Sequence, residues 1–398
     1  MSDNKIINPR KTNVLFCLHY SGINNGAVRS LIDIIDKLVL NGKINAYVVY
    51  PDKRSTAIDH LEQEGVATKH IPFYRLDFQK DGTIKDNLKY AMLKLVSPLS
   101  ITSIVNFSKK NNIQVVYSNT TVIDYGYKAS KLLKVPHIWH IREFGKEDHG
   151  INYRGGEKYL YSCMSDSDEL IYISKSIEKK YRSKITGKSV KQQVIYNDIS
   201  EVFVNPKVDL TKFWNNSIIN IAIIGTLQKG KGQLDAIKAV EMVNKDAERV
   251  ILHICGKKEG DYYADLKQYV EEKGIQSYIR FDGFHEDMNN YRDRMHIGIV
   301  ASEHEAFGRV TIEGMLSQML MIGANSDGTS ELIRDGKTGF LYQTHDTNML
   351  AGVIEHAISN KKESIRLSLS GYEYAKETYT KGTAAKQIEN VLNELNTK

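Results

Sequence analysis

Glu305 and Glu313 stand eight positions apart in the stretch Glu305-Ala-Phe-Gly-Arg-Val-Thr-Ile-Glu313 and bracket a Phe-Gly turn. The turn falls between a short apolar run of strand type, His296 to Ser302, and the helical spacing of Val310 to Gln318. A strand running into a helix near Gly308 gathers unpaired N–H groups and the positive end of a helix dipole, which together favour an anion. Carboxylates beside such a site would repel the anion if they bound it themselves. Their chemistry suits hydroxyl groups attached to it, as on a sugar or a ribose, so the residues point to a nucleotide-sugar site. An exposed acidic loop followed by a solvated helical Glu is the plain alternative.

A second candidate lies upstream. IINIAIIGT (218–226) is strand-like, LQKGKGQ follows, and apolar residues then recur at Leu234, Ile237, Val240 and Val243 as on one face of a helix. Lys231 and Gly232 at that helix start suit the gripping of a diphosphate. Lys-Gly pairs are also common in plain turns, so chemistry alone leaves both readings open. In the first half, Ser21-Gly22-Ile23-Asn24-Asn25-Gly26 joins the run NVLFCLHY (13–20) to a helix from Ala27 to Leu40. The loop is not G-x-G-x-x-G, which disfavours a dinucleotide fingerprint. Gly22 and Gly26 either admit close approach by a phosphate or acceptor, or form a simple strand–helix turn.

VPHIWHIREFG (135–145) gathers His137, His140, Arg142 and Glu143 near the end of an expected strand. A lone His is commonly structural. His137, next to Pro136, marks the strand's start, which leaves His140 as the site candidate. Arg142 and Glu143 either meet a phosphate or acceptor or pair with each other. Asp166-Ser167-Asp168 has the look of a metal-binding pair, but it sits between a helix and a strand, where turn chemistry accounts for it. No other grouping has metal-ligand spacing, so neither a metal nor another cofactor is expected.

These residues need a scaffold, and the chain supplies alternating strand-like and helix-like segments. INAYVVY, IQVVYSN, VPHIWHIR, LIYIS and QQVIYN continue the first half, and RVILHICG, YIRFDGF, HIGIVAS and MLMIGAN the second. Such alternation argues for parallel sheets covered by helices. A chain of 398 residues exceeds one ordinary core, so two domains are expected. The stretch 201–217 lacks periodicity and reads as a linker between residues 1–200 and 218–380.

Composition is that of an ordinary globular protein, 41% hydrophobic and 26% charged. No apolar run reaches the length of a membrane span, and the start lacks a signal-peptide core. Cys17, Cys163 and Cys255 form no Cys-x-x-Cys pair and fit buried thiols of a reducing cytoplasm. The net charge of +6 hides an asymmetry: residues 1–200 carry 30 Lys/Arg against 20 Asp/Glu, and the remainder 24 against 28. A basic half suits an anionic membrane surface or phosphate-linked acceptor; no nucleic-acid-binding motif occurs.

The two-Glu motif, with GTSELI (328–333) and DGKTGFL (335–341) behind it, resembles glycosyltransferase family 4. The similarity runs through nearly the whole chain and is strongest from Ile218 to Tyr342. The resemblance implies a GT-B fold: two facing Rossmann-like, doubly wound α/β domains with a cleft between them, the last helix (about 381–398) returning to the first domain. It implies a cytoplasmic enzyme moving a sugar, with retention and without a metal, from a nucleoside-diphosphate sugar to a glycan, lipid-linked or polymer acceptor. Cell-surface polysaccharide, lipid-linked oligosaccharide or teichoic-acid assembly is the expected setting. In this family Glu305 contacts the donor sugar, Glu313 the ribose, and the amides around Phe307, Gly308 and Arg309 face sugar and diphosphate. Lys231 falls at the family's diphosphate lysine, His140 near the donor sugar, and Gly22 and Gly26 in the first-domain loop at the cleft. The chain departs from the family at Thr226, where many members carry Arg, leaving Arg309 as a substitute cation, and at Gln318 and Leu320, where Gly and Pro are usual. A non-catalytic partner subunit and a GT-B nucleotide-sugar epimerase are the alternatives.

One further segment stands apart. Leu88, Met92, Leu95, Val96 and Leu99 form an apolar stripe with Lys85, Lys89 and Lys94 nearby. Such a helix either packs its stripe into the core or rests on an anionic bilayer, which would place the protein at the inner face of the plasma membrane.

Overall fold

The computed structural model describes residues 11–22, 25–78 and 84–396, so Ile23 and Asn24 of the first-half loop lie outside the described residues. The chain divides into two compact units. The first takes in the chain up to Ile173, Ile177–Asp198 and the tail from Gly382; the second is Ser174–Ser176 with Ile199–Lys381.

The first unit holds seven parallel strands in the spatial order Ala67–His70, Ile44–Tyr50, Thr12–Cys17, Val115–Asn119, His137–Ile141, Glu169–Tyr172, Lys191–Val194. The second holds six, ordered Ile279–Gly283, Val250–Cys255, Ile219–Ile224, Ile297–Val300, Leu320–Ala324, Phe340–Tyr342. The central runs are buried throughout, as strands covered on both faces must be. Each sheet reverses its order beside its first strand, between Thr12–Cys17 and Val115–Asn119 in one and between Ile219–Ile224 and Ile297–Val300 in the other. Loops leaving neighbouring strands in opposite directions open a crevice there, at the carboxyl ends.

The strands that the sequence pattern passes over are Ala67–His70 and Phe340–Tyr342, both at sheet edges, and the antiparallel pair Asp77–Phe78 with Asn152–Tyr153. An edge strand needs no continuous apolar run, and Ala-Thr-Lys-His has none. The stretch 201–217 contains a helix, Leu210–Trp214, capped by Asp209, whose Leu210 and Trp214 are buried in the second unit's core. The tail helix Thr383–Asn396 packs on Gly26–Leu40, and its Ala384, Ile388, Leu392 and Leu395 are buried in the first unit's core. Asp198 accepts from the Ala385 amide at 3.2 Å and lies 3.6 Å from Lys37. Cys17, Cys163 and Cys255 are all buried free thiols.

The apolar stripe lies on the helix Ile84–Lys110, and it does not face the core. Leu88, Met92, Leu95 and Leu99 are exposed, while the opposite side of the helix, with Ile104 and Ser108, is buried. The sequence could not decide this, because Ile101, Ile104 and Val105 make the other side apolar as well.

Candidate functional site

In the second unit, Lys231 follows the strand Ile219–Ile224 and Glu305 follows Ile297–Val300, the two strands flanking the reversal of sheet order. Their loops meet: Lys231 Nζ lies 2.8 Å from Glu305 Oε2, which also accepts from Ser302 Oγ at 3.0 Å. The approach of the loops depends on Gly232. Its φ is +69°, and a Cβ there would sit 2.4 Å from the Ala301 carbonyl oxygen.

Gly232 and Gly308 (φ +99°) are both the N-caps of helices, Gln233–Val243 and Arg309–Leu316, and neither helix has a side-chain cap. A left-handed glycine in place of Ser, Thr, Asp or Asn leaves first-turn amides to an outside acceptor. The first unit's helix Gly26–Leu40 differs. There Asn25 Oδ1 accepts from the Ala27 and Val28 amides, at 3.0 and 3.2 Å. Gly26 is exposed at that helix start, and Gly22 packs under the Tyr20 ring.

Phe307 is buried, with its ring 6.1 Å from Tyr379. Glu313, only 4% exposed, sits between two arginines: Arg292, itself 1% exposed, bonds its Oε2, and Arg309 Nε lies 3.4 Å from its Oε1. Arg309, the candidate substitute cation, thus points along its own helix to Glu313. The sequence offered no sign of Arg292, which lies 21 positions upstream in a polar run. Thr329 lies inside the short helix Asp327–Leu332, whose N-cap is Ser326. It is buried, and the Gly328 amide beside it donates to the Glu305 carbonyl at 2.8 Å.

In the first unit, His140 is the penultimate residue of the strand His137–Ile141 and is fully buried. Its Nδ1 accepts from Arg142 Nη2 at 3.1 Å and meets the Tyr117 hydroxyl. An accepting Nδ1 places the proton of the neutral ring on Nε2, which is buried without a partner among the described residues. Burial, with Arg142 beside it, holds the ring's pKa well below the ordinary histidine value. His140 is therefore built as a neutral hydrogen-bond donor. The Arg142 guanidinium also donates to Asn197 Oδ1 at 2.5 Å and to Asn119 Oδ1. Glu143 accepts from the Thr121 amide and hydroxyl and from the Arg142 backbone N–H, and burial raises its carboxyl. Asn119 and Asn197, 78 positions apart, carried no signal in the sequence.

His137 is structural, bonded to Ser118 and Ser167. Asp166 C-caps the helix Gly156–Ser165, and Asp168 accepts from the His137 amide, so this Asp-x-Asp is turn chemistry. Among the described residues no group of three or more His, Cys, Asp and Glu could hold a metal.

Three buried histidines make the first unit acid-sensitive. Burial pushes His19 and His137 down to about 3 and His140 down too, so the folded unit refuses protons that the unfolded chain takes up below about pH 6.5. Stability is full above that pH and falls as pH drops from 6.5 towards 3. Each histidine removes about 1 kcal/mol between pH 6.5 and 5.5, and the raised Glu143, which works in the opposite sense, offsets part. A net loss of stability is expected over that interval. Urea titrations of a Trp214→Phe variant, with Trp139 left as the reporter of this unit, check it; an unchanged midpoint contradicts it.

Residues 214–374 match the family model described as glycosyl transferases group 1. The chain is similar to the D-inositol 3-phosphate glycosyltransferase of Corynebacterium diphtheriae, 29% identical over 43% of this chain and 41% of that protein. It is also similar to the capsular polysaccharide biosynthesis glycosyltransferase CapM of Staphylococcus aureus, 21% identical over 60% of this chain and 63% of that one. It spans less than two thirds of either relative. Among solved structures, Anabaena Alr3699/HepE in complex with UDP superposes with a TM-score of 0.77, covering 96% of this chain and all of that one at 19% identity. The chain is a protein of GT-B fold whose second unit matches the group 1 glycosyl transferases.

Proposed function

We propose that the chain transfers a sugar from a nucleoside-diphosphate sugar to an acceptor hydroxyl, with retention, in the assembly of a cell-surface glycan. The observation that carries this reading is the Lys231–Glu305 pair at the reversal of the second sheet, between two helix starts capped only by glycine. Lys231 and those amides suit a diphosphate, Glu305 the hydroxyls of the sugar, and Glu313 the ribose. His140 offers Nε2–H to a substrate oxygen, and Gly22 and Gly26 admit substrate to the start of the first helix. A structure of the same fold contains UDP, and a relative is named for capsular polysaccharide biosynthesis, which supports both the donor class and a glycan acceptor.

Chemically, the bond from the anomeric carbon to the leaving phosphate oxygen breaks as the acceptor oxygen bonds to the same face. The acceptor's proton passes to the departing phosphate. Glu305 and Glu313 are engaged by Lys231 and by arginines, so they suit holding the donor better than an acid/base couple of the glycosidase kind. Charge developing on the diphosphate is met by fixed N–H groups and Lys231.

Thermal stabilisation across a panel of nucleoside-diphosphate sugars, followed by incubation with acceptor, tests the reading. A donor that stabilises the protein and is consumed only with acceptor supports transfer. Conversion of the free nucleotide-sugar without acceptor would reveal an epimerase, and no stabilisation by any donor a non-catalytic subunit. Transfer is also expected to survive EDTA, since Lys231 supplies the compensating charge. Loss of activity in EDTA and its return with Mn²⁺ would sink that assignment.

A further inference from the structure

We infer that the exposed face of the helix Ile84–Lys110 seats this protein on the surface of an anionic bilayer. Leu88, Met92, Leu95 and Leu99 follow one another at steps of four, three and four residues. At about 100° per residue they fall in one line along the helix, roughly 17 Å long. They are 60%, 67%, 82% and 72% exposed. Among the described residues the helix is anchored by its other side: Ile104 and Ser108 are fully buried, and Ser100 Oγ donates to the Pro72 carbonyl at 2.6 Å. Four adjacent long apolar side chains in water cost solubility and are the mark of an interaction surface.

Charge selects the occupant. The helix sequence carries Lys85, Lys89, Lys94, Lys109 and Lys110 against Asp86 alone. Lys94, Lys109 and Lys110 are exposed. An apolar line on a helix so rich in cations fits acyl chains lying beneath anionic headgroups. A second copy of this chain fits poorly, since a two-fold pairing opposes the same face to itself and brings lysines against lysines.

Contrary to the expectation from the sequence, the helical segment Tyr90–Lys110 is by length and composition apolar enough to cross a membrane, but crossing would strip Ile104 and Ser108 from the fold they are buried in. The helix therefore lies on the bilayer, apolar line down.

The test is co-sedimentation of the full chain with mixed phosphatidylglycerol–phosphatidylcholine vesicles and with phosphatidylcholine alone, at low and high salt. Binding is expected to the anionic vesicles and to weaken with salt. Leu95→Ser with Leu99→Ser should lower partitioning about tenfold or more, with circular dichroism and donor-induced stabilisation unchanged. Lys85→Glu with Lys89→Glu should remove the preference for anionic lipid. The inference is overturned if wild type fails to bind, or if the Leu→Ser pair binds as wild type does. It is equally overturned if those substitutions dissolve a concentration-dependent dimer that ignores vesicles, or if bound protein resists both high salt and alkaline carbonate, as a spanning helix would.

Discussion

Lys231→Ala is expected to lower the rate of sugar transfer about 100-fold or more, because it removes a preorganised cation from the place where the leaving diphosphate gathers charge. The fold should barely notice. Lys231 and Glu305 are 24% and 20% exposed, and an ion pair that open to water contributes little to stability. The loss should therefore appear in kcat with the thermal midpoint near wild type. The pair also predicts an asymmetry between its partners. Without donor, Glu305 occupies the ammonium that a diphosphate would use, so Glu305→Gln should slow transfer yet bind free nucleoside diphosphate at least as tightly as wild type. Titration calorimetry with the diphosphate alone distinguishes the two substitutions. Equal weakening in both would mean that Glu305 and Lys231 do not exchange partners on binding.

Arg292→Met should destabilise the second unit by about 3–5 kcal/mol, the cost of leaving a buried carboxylate without its buried partner. Arg309, at 3.4 Å from Glu313 Oε1, limits the damage without removing it. Replacing both members, Arg292→Met with Glu313→Met, should recover most of the stability while abolishing donor binding, since no charge is then stranded. The chain has two tryptophans, Trp139 in the first unit and Trp214 in the second, both fully buried. Urea unfolding of a Trp139→Phe background followed by fluorescence therefore reads the second unit alone. A single mutant as stable as wild type would show that Glu313 needs no fixed partner.

The architecture was legible because parallel strands covered on both sides must be apolar at every position, and runs such as IAII and VVY are. The placement of Lys231 and Glu305 was legible because each lies where a strand hands over to a helix, and that of Glu313 because it stands one turn into the helix Arg309–Leu316. What the sequence hid is what folding brings from afar. Arg292 meets Glu313 across 21 positions, and Asn197 meets Arg142 across 55. Neither contact leaves a periodic trace. The long helix shows a different limit: its apolar stripe was plain, but periodicity on a helix apolar on two sides cannot say which side turns outward.

The tail helix has a consequence for how the protein comes to be folded. Synthesis proceeds from the amino end, yet Ala384, Ile388, Leu392 and Leu395 belong to the core that begins with Val14. The first unit emerges from the ribosome first and is completed last, whereas nearly all of the second is one uninterrupted stretch, Ile199–Lys381. For most of translation the earlier half must wait, with the side of Gly26–Leu40 that receives the tail uncovered, while the later half matures. Stop codons close to the end, which would spare Lys231, Glu305 and Glu313, should then yield a nascent chain whose second half folds and whose first half is the part that chaperones and proteases find.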